Sequence, residues 1–210
     1  MVFVPMLLIY ITGFLSSSDQ IFSYPFSSWI LADFGIINFR IFTTFYSCFQ
    51  ILTLLGYIIF QKLLNFKLKH LGNTKNSSYR KEQDYNLFRK RILIINTFSF
   101  SLLYLIFTAV DFLPFMACYC LFSLLAGIYN ISLTSFSIDF SRRLKNQSFF
   151  YLLLGTYFSL AQFTLKPLGI LLTSSISVEN LMIITSILTL ISIIPLWYTK
   201  LPTQENSYNK

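Results

Sequence analysis

The chain has 210 residues, of which 55% are hydrophobic, 19% aromatic and only 11% charged. An average soluble domain carries about 25% charged residues, so these numbers exclude a soluble domain and leave apolar material for roughly six membrane crossings at about 20 residues each. The net charge is +8, but the cations sit between apolar runs, so they read as a topology signal and not as a nucleic-acid interface.

The first apolar run covers residues 1 to about 28 and is broken by Ser16, Ser17, Ser18, Asp19 and Gln20. It reads as one long, interrupted helix. A short polar turn with Asp33 and Gly35 leads to the second run, about Ile36 to Phe60, with Arg40 near its start. The only long polar stretch follows, a basic segment at 62–91, whose middle from Gly72 to Ser78 reads as flexible loop. The third run is Ile92 to Val110, and Asp111 and Pro114 mark a tight connection to the fourth, Phe115 to about Ile138. After a basic loop with Arg142, Arg143 and Lys145 comes the fifth run, Phe149 to about Ser175, where Lys166 interrupts and Pro167 with Gly169 suggests a kink. Glu179 and Asn180 turn the chain into the sixth run, Leu181 to Thr199, and a polar tail at 200–210 closes it. The runs are too long for barrel strands and none alternates with period two, so the expected fold class is an all-α membrane protein in one transmembrane domain.

Orientation follows from the cations. Nine of the sixteen Lys and Arg lie in the 62–91 segment, three in the fourth-to-fifth loop and two in the tail. The opposite loops hold Asp33, Asp111 and Glu179. The positive-inside rule therefore puts both termini in the cytoplasm of a multi-pass integral membrane protein. On that side the Asn76 and Asn146 sequons stay unmodified. No basic leader precedes the first apolar run, so secretory processing is not expected.

No catalytic constellation stands out. His70 is the only histidine, and Cys48, Cys118 and Cys120 lie in apolar runs without metal-ligand spacing. An enzyme, a metal site, a cofactor and a disulfide framework are therefore not expected. Polar residues inside the membrane runs remain, and they are functional by default because they are costly there. Asp19 lies inside the first run and Lys166 midway along the fifth; they could pair or face a water-filled cavity. Snorkelling is the alternative for Lys166, and a local helix break for Asp19. Gln162, Gln50 and Asn130 suit interhelical hydrogen bonds. Phe22, Tyr24 and Trp29 could stack on a flat ligand or face lipid. Asp139, beside Arg142 and Arg143, suggests a structural ion pair.

Six helices with cytoplasmic ends and a long basic loop after the second resemble one half of a major facilitator transporter. Four stretches are similar to the C-terminal half of the folate–biopterin transporter family: Ser17 to Tyr24, Leu55 to Leu64, Tyr151 to Thr173, and Glu179 to Pro202. Ser16 stands where that family has a proline, and Ser159 where it has an asparagine. The resemblance implies a transporter that moves a small organic solute, folate or a pterin, by alternating access. Its substrate residues would be Asp19, Lys166, Phe22, Tyr24 and Gln162. Facilitators bind substrate between two six-helix halves, so the expected partners are the bilayer, the solute, and either a second half or another copy. The chain would then be a piece of a longer transporter or a half-size protein. The alternative is a non-transporting membrane scaffold or assembly subunit, in which the polar membrane residues serve packing alone.

Overall fold

Serines open the first break. Helix α1 (Phe3–Ser16) ends where the Ser16 and Ser17 hydroxyls both donate to the carbonyl of Gly13, at 3.0 and 2.8 Å. Such bonds offer the backbone an alternative to continued α-helix, and the chain passes into a 3-10 turn, Ser18–Ile21. The computed structural model describes residues 3–23, 25–72, 78–141 and 147–199. Tyr24, the loop middle with Asn76, the segment with Arg142, Arg143, Lys145 and Asn146, and the tail 200–210 lie outside the described residues.

Helix α2 (Phe26–Gly72) contains one non-helical residue, Gly35, at φ 79° and ψ 169°. A side chain is strained at that φ and glycine is not. The chain reverses there. The Phe26 and Phe42 rings lie 6.0 Å apart, whereas sixteen residues of straight helix span about 24 Å. The turn expected at Asp33 and Gly35 is thus a hairpin bend between a short arm, residues 26–34, and a long one. The long arm stays helical to Gly72, about 55 Å from the bend, well beyond the roughly 30 Å of a bilayer core. The basic segment expected as a loop over 62–91 is therefore itself helical on both flanks, because its Lys, Leu and Gln are good helix formers. Its second flank belongs to α3 (Ser78–Phe107).

The remaining elements are α4 (Phe112–Ser141), α5 (Gln147–Gly155), α6 (Tyr157–Leu172), α7 (Val178–Ile191) and α8 (Ile193–Tyr198). Ser177 caps α7, its hydroxyl accepting from the Asn180 N–H at 3.4 Å. Helix α6 continues through Pro167, and a separate break falls at Thr156, whose N–H bonds the Leu153 carbonyl. Every element among the described residues is helical. Among the described residues, four stretches are long and apolar enough to cross a membrane: Phe26–Leu71, Gln83–Phe107, Phe112–Asp139 and Val178–Tyr198. Helices α1, α5 and α6, with 14, 9 and 16 residues, each fall short of a full crossing alone.

Small and hydroxylated residues hold the helices together, as expected where lipid removes the hydrophobic drive between them. Helices α2 and α4 run parallel and meet at Gly56 and Gly127. A Cβ on Gly56 would sit 2.1 Å from the Leu124 carbonyl oxygen, and one on Gly127 2.0 Å from that of Thr53. The Thr53 hydroxyl crosses to the Ser123 carbonyl at 3.1 Å. Helices α3 and α7 are antiparallel and exchange serines: the Ser101 and Ser186 hydroxyls lie 2.8 Å apart, and each also donates to the other's carbonyl. Asn96 donates from α3 to the Leu125 carbonyl on α4 at 2.8 Å.

Arg89, a cation of the basic segment, is buried. Its side chain is 3% exposed and pairs with Asp139 of α4. Its guanidinium also reaches the Ser135 hydroxyl and lies 4.4 Å from the Phe136 ring centre. Asp139 therefore finds its partner across the α3–α4 hairpin, where antiparallel packing sets residues 89 and 139 side by side. Next to it, Lys90 turns to the other side and donates to the Thr199 carbonyl at 3.0 Å and to that of Trp197. A cation is favourable at a helix C-terminus.

Candidate functional site

The 3-10 turn is hydrogen-bonded by α7 and closely approached by α6, and α4 bonds the serine just before it. Ser18 is fully buried. Its hydroxyl lies 3.3 Å from the Thr185 carbonyl and 3.2 Å from the Thr189 hydroxyl, and the Thr185 hydroxyl donates back to the Ser18 carbonyl at 3.3 Å. The Tyr129 hydroxyl of α4 donates to the Ser16 hydroxyl. From α6, Gly169 comes so close that a Cβ there would lie 1.7 Å from the Ile21 carbonyl oxygen. A polar turn fixed in this way projects the next side chain, Asp19, in a defined direction.

Asp19 lines a cavity of about 490 Å³ between the turn, both arms of the α2 hairpin, α3 and α4. Seven of the twelve described lining residues are aromatic, and Asp19 is the single charged one. Polar groups on the walls come from Gln20, Ser23, Ser27 and Thr43. The carboxylate accepts one side-chain hydrogen bond, from Gln20 Nε2 at 3.2 Å. The aromatic walls are themselves packed: Phe26 stacks on Tyr119 at 6.0 Å and 20°, and Phe42 meets Tyr119 edge to face at 5.1 Å. This volume suits a small organic molecule. The arrangement can hold a flat ring between aromatic walls and meet one donor group or positive charge with the carboxylate.

Of the residues singled out in the sequence, Asp19 and Phe22 meet in this cavity. Lys166 and Gln162 lie elsewhere, on the exposed face of α6 with Ser159. No ion pair joins Lys166 to Asp19 among the described residues. Trp29 is 5% exposed; it donates to Glu179 Oε1 at 2.9 Å and stacks on Phe26 behind the wall. Asn130 and Gln50 are exposed.

The sequence reading missed the far walls: Phe42 and Tyr46 on α2, Phe107 on α3, and Tyr119 and Phe122 on α4. A signal existed. Phe115, Tyr119 and Phe122 repeat at helical spacing, as do Phe42, Tyr46 and Phe49, and each set marks one helix face. With 24 Phe and 13 Tyr in the chain, such stripes do not stand out.

No metal-holding group of His, Cys, Asp or Glu occurs among the described residues. No family model, curated protein or solved structure matches the chain.

Proposed function

We propose that the chain is a membrane transporter, or one half of one, moving a small organic solute by alternating access. In this reading it makes six crossings as a major-facilitator half, with both termini cytoplasmic. The first crossing is α1, the 3-10 turn and residues 26–34, and the fifth is α5 with α6. The reversal at Gly35 supports that division, because it separates the short arm of α2 from the long one.

One observation carries the reading: the helix break that presents Asp19 to an aromatic-walled cavity. A carboxylate at membrane depth is expensive unless it works, and broken helices inside a membrane bundle are where transporters place substrates. The polar stripe of Ser159, Gln162 and Lys166 on α6 faces outward, and it would lie in lipid unless another six-helix half or a second copy covered it. A solute held between the two would then touch both Asp19 and Lys166. Folate and pterins are the finer proposal, resting on the resemblance in sequence.

Uptake of radiolabelled biopterin and folic acid, measured with the protein in its native assembly, tests this. Asp19→Asn and Lys166→Ala should each lower uptake about tenfold or more at equal amounts in the membrane. Normal uptake by both variants would overturn the site. Uptake of neither compound by the unaltered protein would overturn the substrate.

A further inference from the structure

Resting on the transporter reading, we propose that the Asp19 cavity binds the flat cationic head of its solute, an amidinium- or guanidinium-type group on an aromatic ring, and rejects a carboxylate. The electrostatics point one way. Asp19 is the single charged residue among the described lining residues, and no Lys or Arg stands beside it. The cations of the spanning segments that could have balanced it are paired or placed elsewhere: Arg89 is paired with Asp139, Lys166 faces outward on α6, and Arg40 is exposed on α2 and does not line the cavity.

The walls add a second preference. Rings from α2, α3 and α4 enclose the space on several sides, among them Phe26, Phe42 and Tyr119. An aromatic ring attracts a cation through its quadrupole, more strongly where water is excluded. It repels an anion at the same position. A planar amidinium presents two parallel N–H donors to a carboxylate, the geometry that makes such pairs strong. The Gln20 amide occupies Asp19 Oδ2 from one side, and the carboxylate has acceptor capacity left for two donors. A pterin offers a similar edge, an amino group beside a ring N–H. The glutamyl carboxylates of a folate would have no place in this cavity and would need a cation outside it. Both proposed solutes carry that edge, so the cavity reads the head they share.

Three ligands of nearly one shape isolate the charge: benzamidinium, benzamide and benzoate. Trp29 is a built-in reporter, since it stacks on the cavity residue Phe26 at 5.9 Å. The chain has two tryptophans, and Trp197 is 66% exposed, so Trp197→Phe leaves Trp29 alone. Full-length protein in neutral detergent is titrated with each ligand. The expected result is saturable binding of benzamidinium, about tenfold or more tighter than benzamide, and none of benzoate. Asp19→Asn should erase the preference. Thr43→Lys, at an exposed position on the rim, should abolish benzamidinium binding while leaving the fold intact, and so serves if Asp19→Asn does not fold. Benzoate binding as tightly as benzamidinium would overturn the proposal. So would no response to any ligand up to about 10 mM, or an affinity unchanged in both variants. Proteoliposome uptake is measured alongside: Asp19-dependent binding without uptake supports the cavity and sinks the transport reading.

Discussion

The block of α3, α4 and α7 and the arm of α5 and α6 are joined to the molecule by different chemistry. Within the block the contacts are polar and directional. Ser101 and Ser186 exchange hydroxyls, Asn96 reaches the Leu125 carbonyl, and Arg89 is paired with Asp139. The arm is seated by shape. Gly13 lies under the Tyr157 ring, Ala161 is buried, and Gly169 meets the Ile21 backbone. Among the described residues, one exposed hydrogen bond joins it to α1, between the Tyr10 and Thr156 hydroxyls at 3.4 Å. Most of the α6 surface is bare, with Phe163 83% and Leu171 72% exposed. The contrast teaches which parts can shift. Hydrogen bonds in a dry interior fix register, because sliding leaves donors unmet. A steric seat excludes approach without holding register.

The largest expected effect is at the seat of the arm. Gly169→Leu places a Cβ 1.7 Å from a backbone oxygen that cannot rotate aside. Separation of α6 from the 3-10 turn should cost about 3 kcal/mol or more. Gly13→Ala meets a ring at 2.7 to 2.9 Å, and the Tyr157 side chain can turn, so about 1 kcal/mol is expected there. Thermal melts in detergent compare the two. Equal losses would mean that the arm is not seated at Gly169. The benzamidinium titration sharpens the result, since Gly169→Leu should also disturb the turn that aims Asp19.

Next comes the ion pair of the block. Arg89→Ala leaves Asp139 without its cation. Breaking a fully buried pair costs about 3 to 5 kcal/mol. The Asp139 side chain is 37% exposed, and water reaching it reduces the expected loss to about 2 kcal/mol. Replacing both partners, Arg89→Met with Asp139→Leu, should recover most of that loss. A full loss in the double variant would mean that the charges are needed elsewhere.

Several of these features were legible in the sequence and others were not. The break at Ser16 to Gln20 was readable because clustered hydroxyls and an acid inside an apolar run oppose continued helix. The turn at Gly35 was readable for the same kind of local reason. Asp19 and Phe22 were found because their cost or size is visible in one dimension. The partner of Asp139 was not: Arg142 and Arg143 are near in sequence, whereas Arg89 becomes a neighbour only when the α3–α4 hairpin closes. The break at Thr156 was missed because no proline, glycine pair or charge marks it strongly, whereas Pro167 is the stronger local signal. The walls of the cavity come from three separate helices, and no local pattern says which aromatic faces meet.

The smallest effect concerns the serine exchange between α3 and α7. Hydrogen bonds between membrane helices average about 0.6 kcal/mol by double-mutant cycles, because the unfolded chain in the membrane also finds partners. Ser101 and Ser186 share two hydroxyls and two carbonyls, so Ser101→Ala and Ser186→Ala should couple by about 0.5 to 1 kcal/mol. Tyr10→Phe, which removes the arm's exposed bond, should change stability by less than about 0.3 kcal/mol. Melting temperatures of the four variants, with an alanine at neither, either or both serines, give the coupling directly. A coupling near zero would put the contact of α7 with α3 on the same footing as the arm, held by shape, while the Arg89 pair and Asn96 still fix α3 against α4. A coupling above about 1.5 kcal/mol would mean the serines act as one network with the fully buried Thr97 and Thr185 nearby in sequence on the same helices. Either departure would change which helices are expected to hold register around the Asp19 cavity.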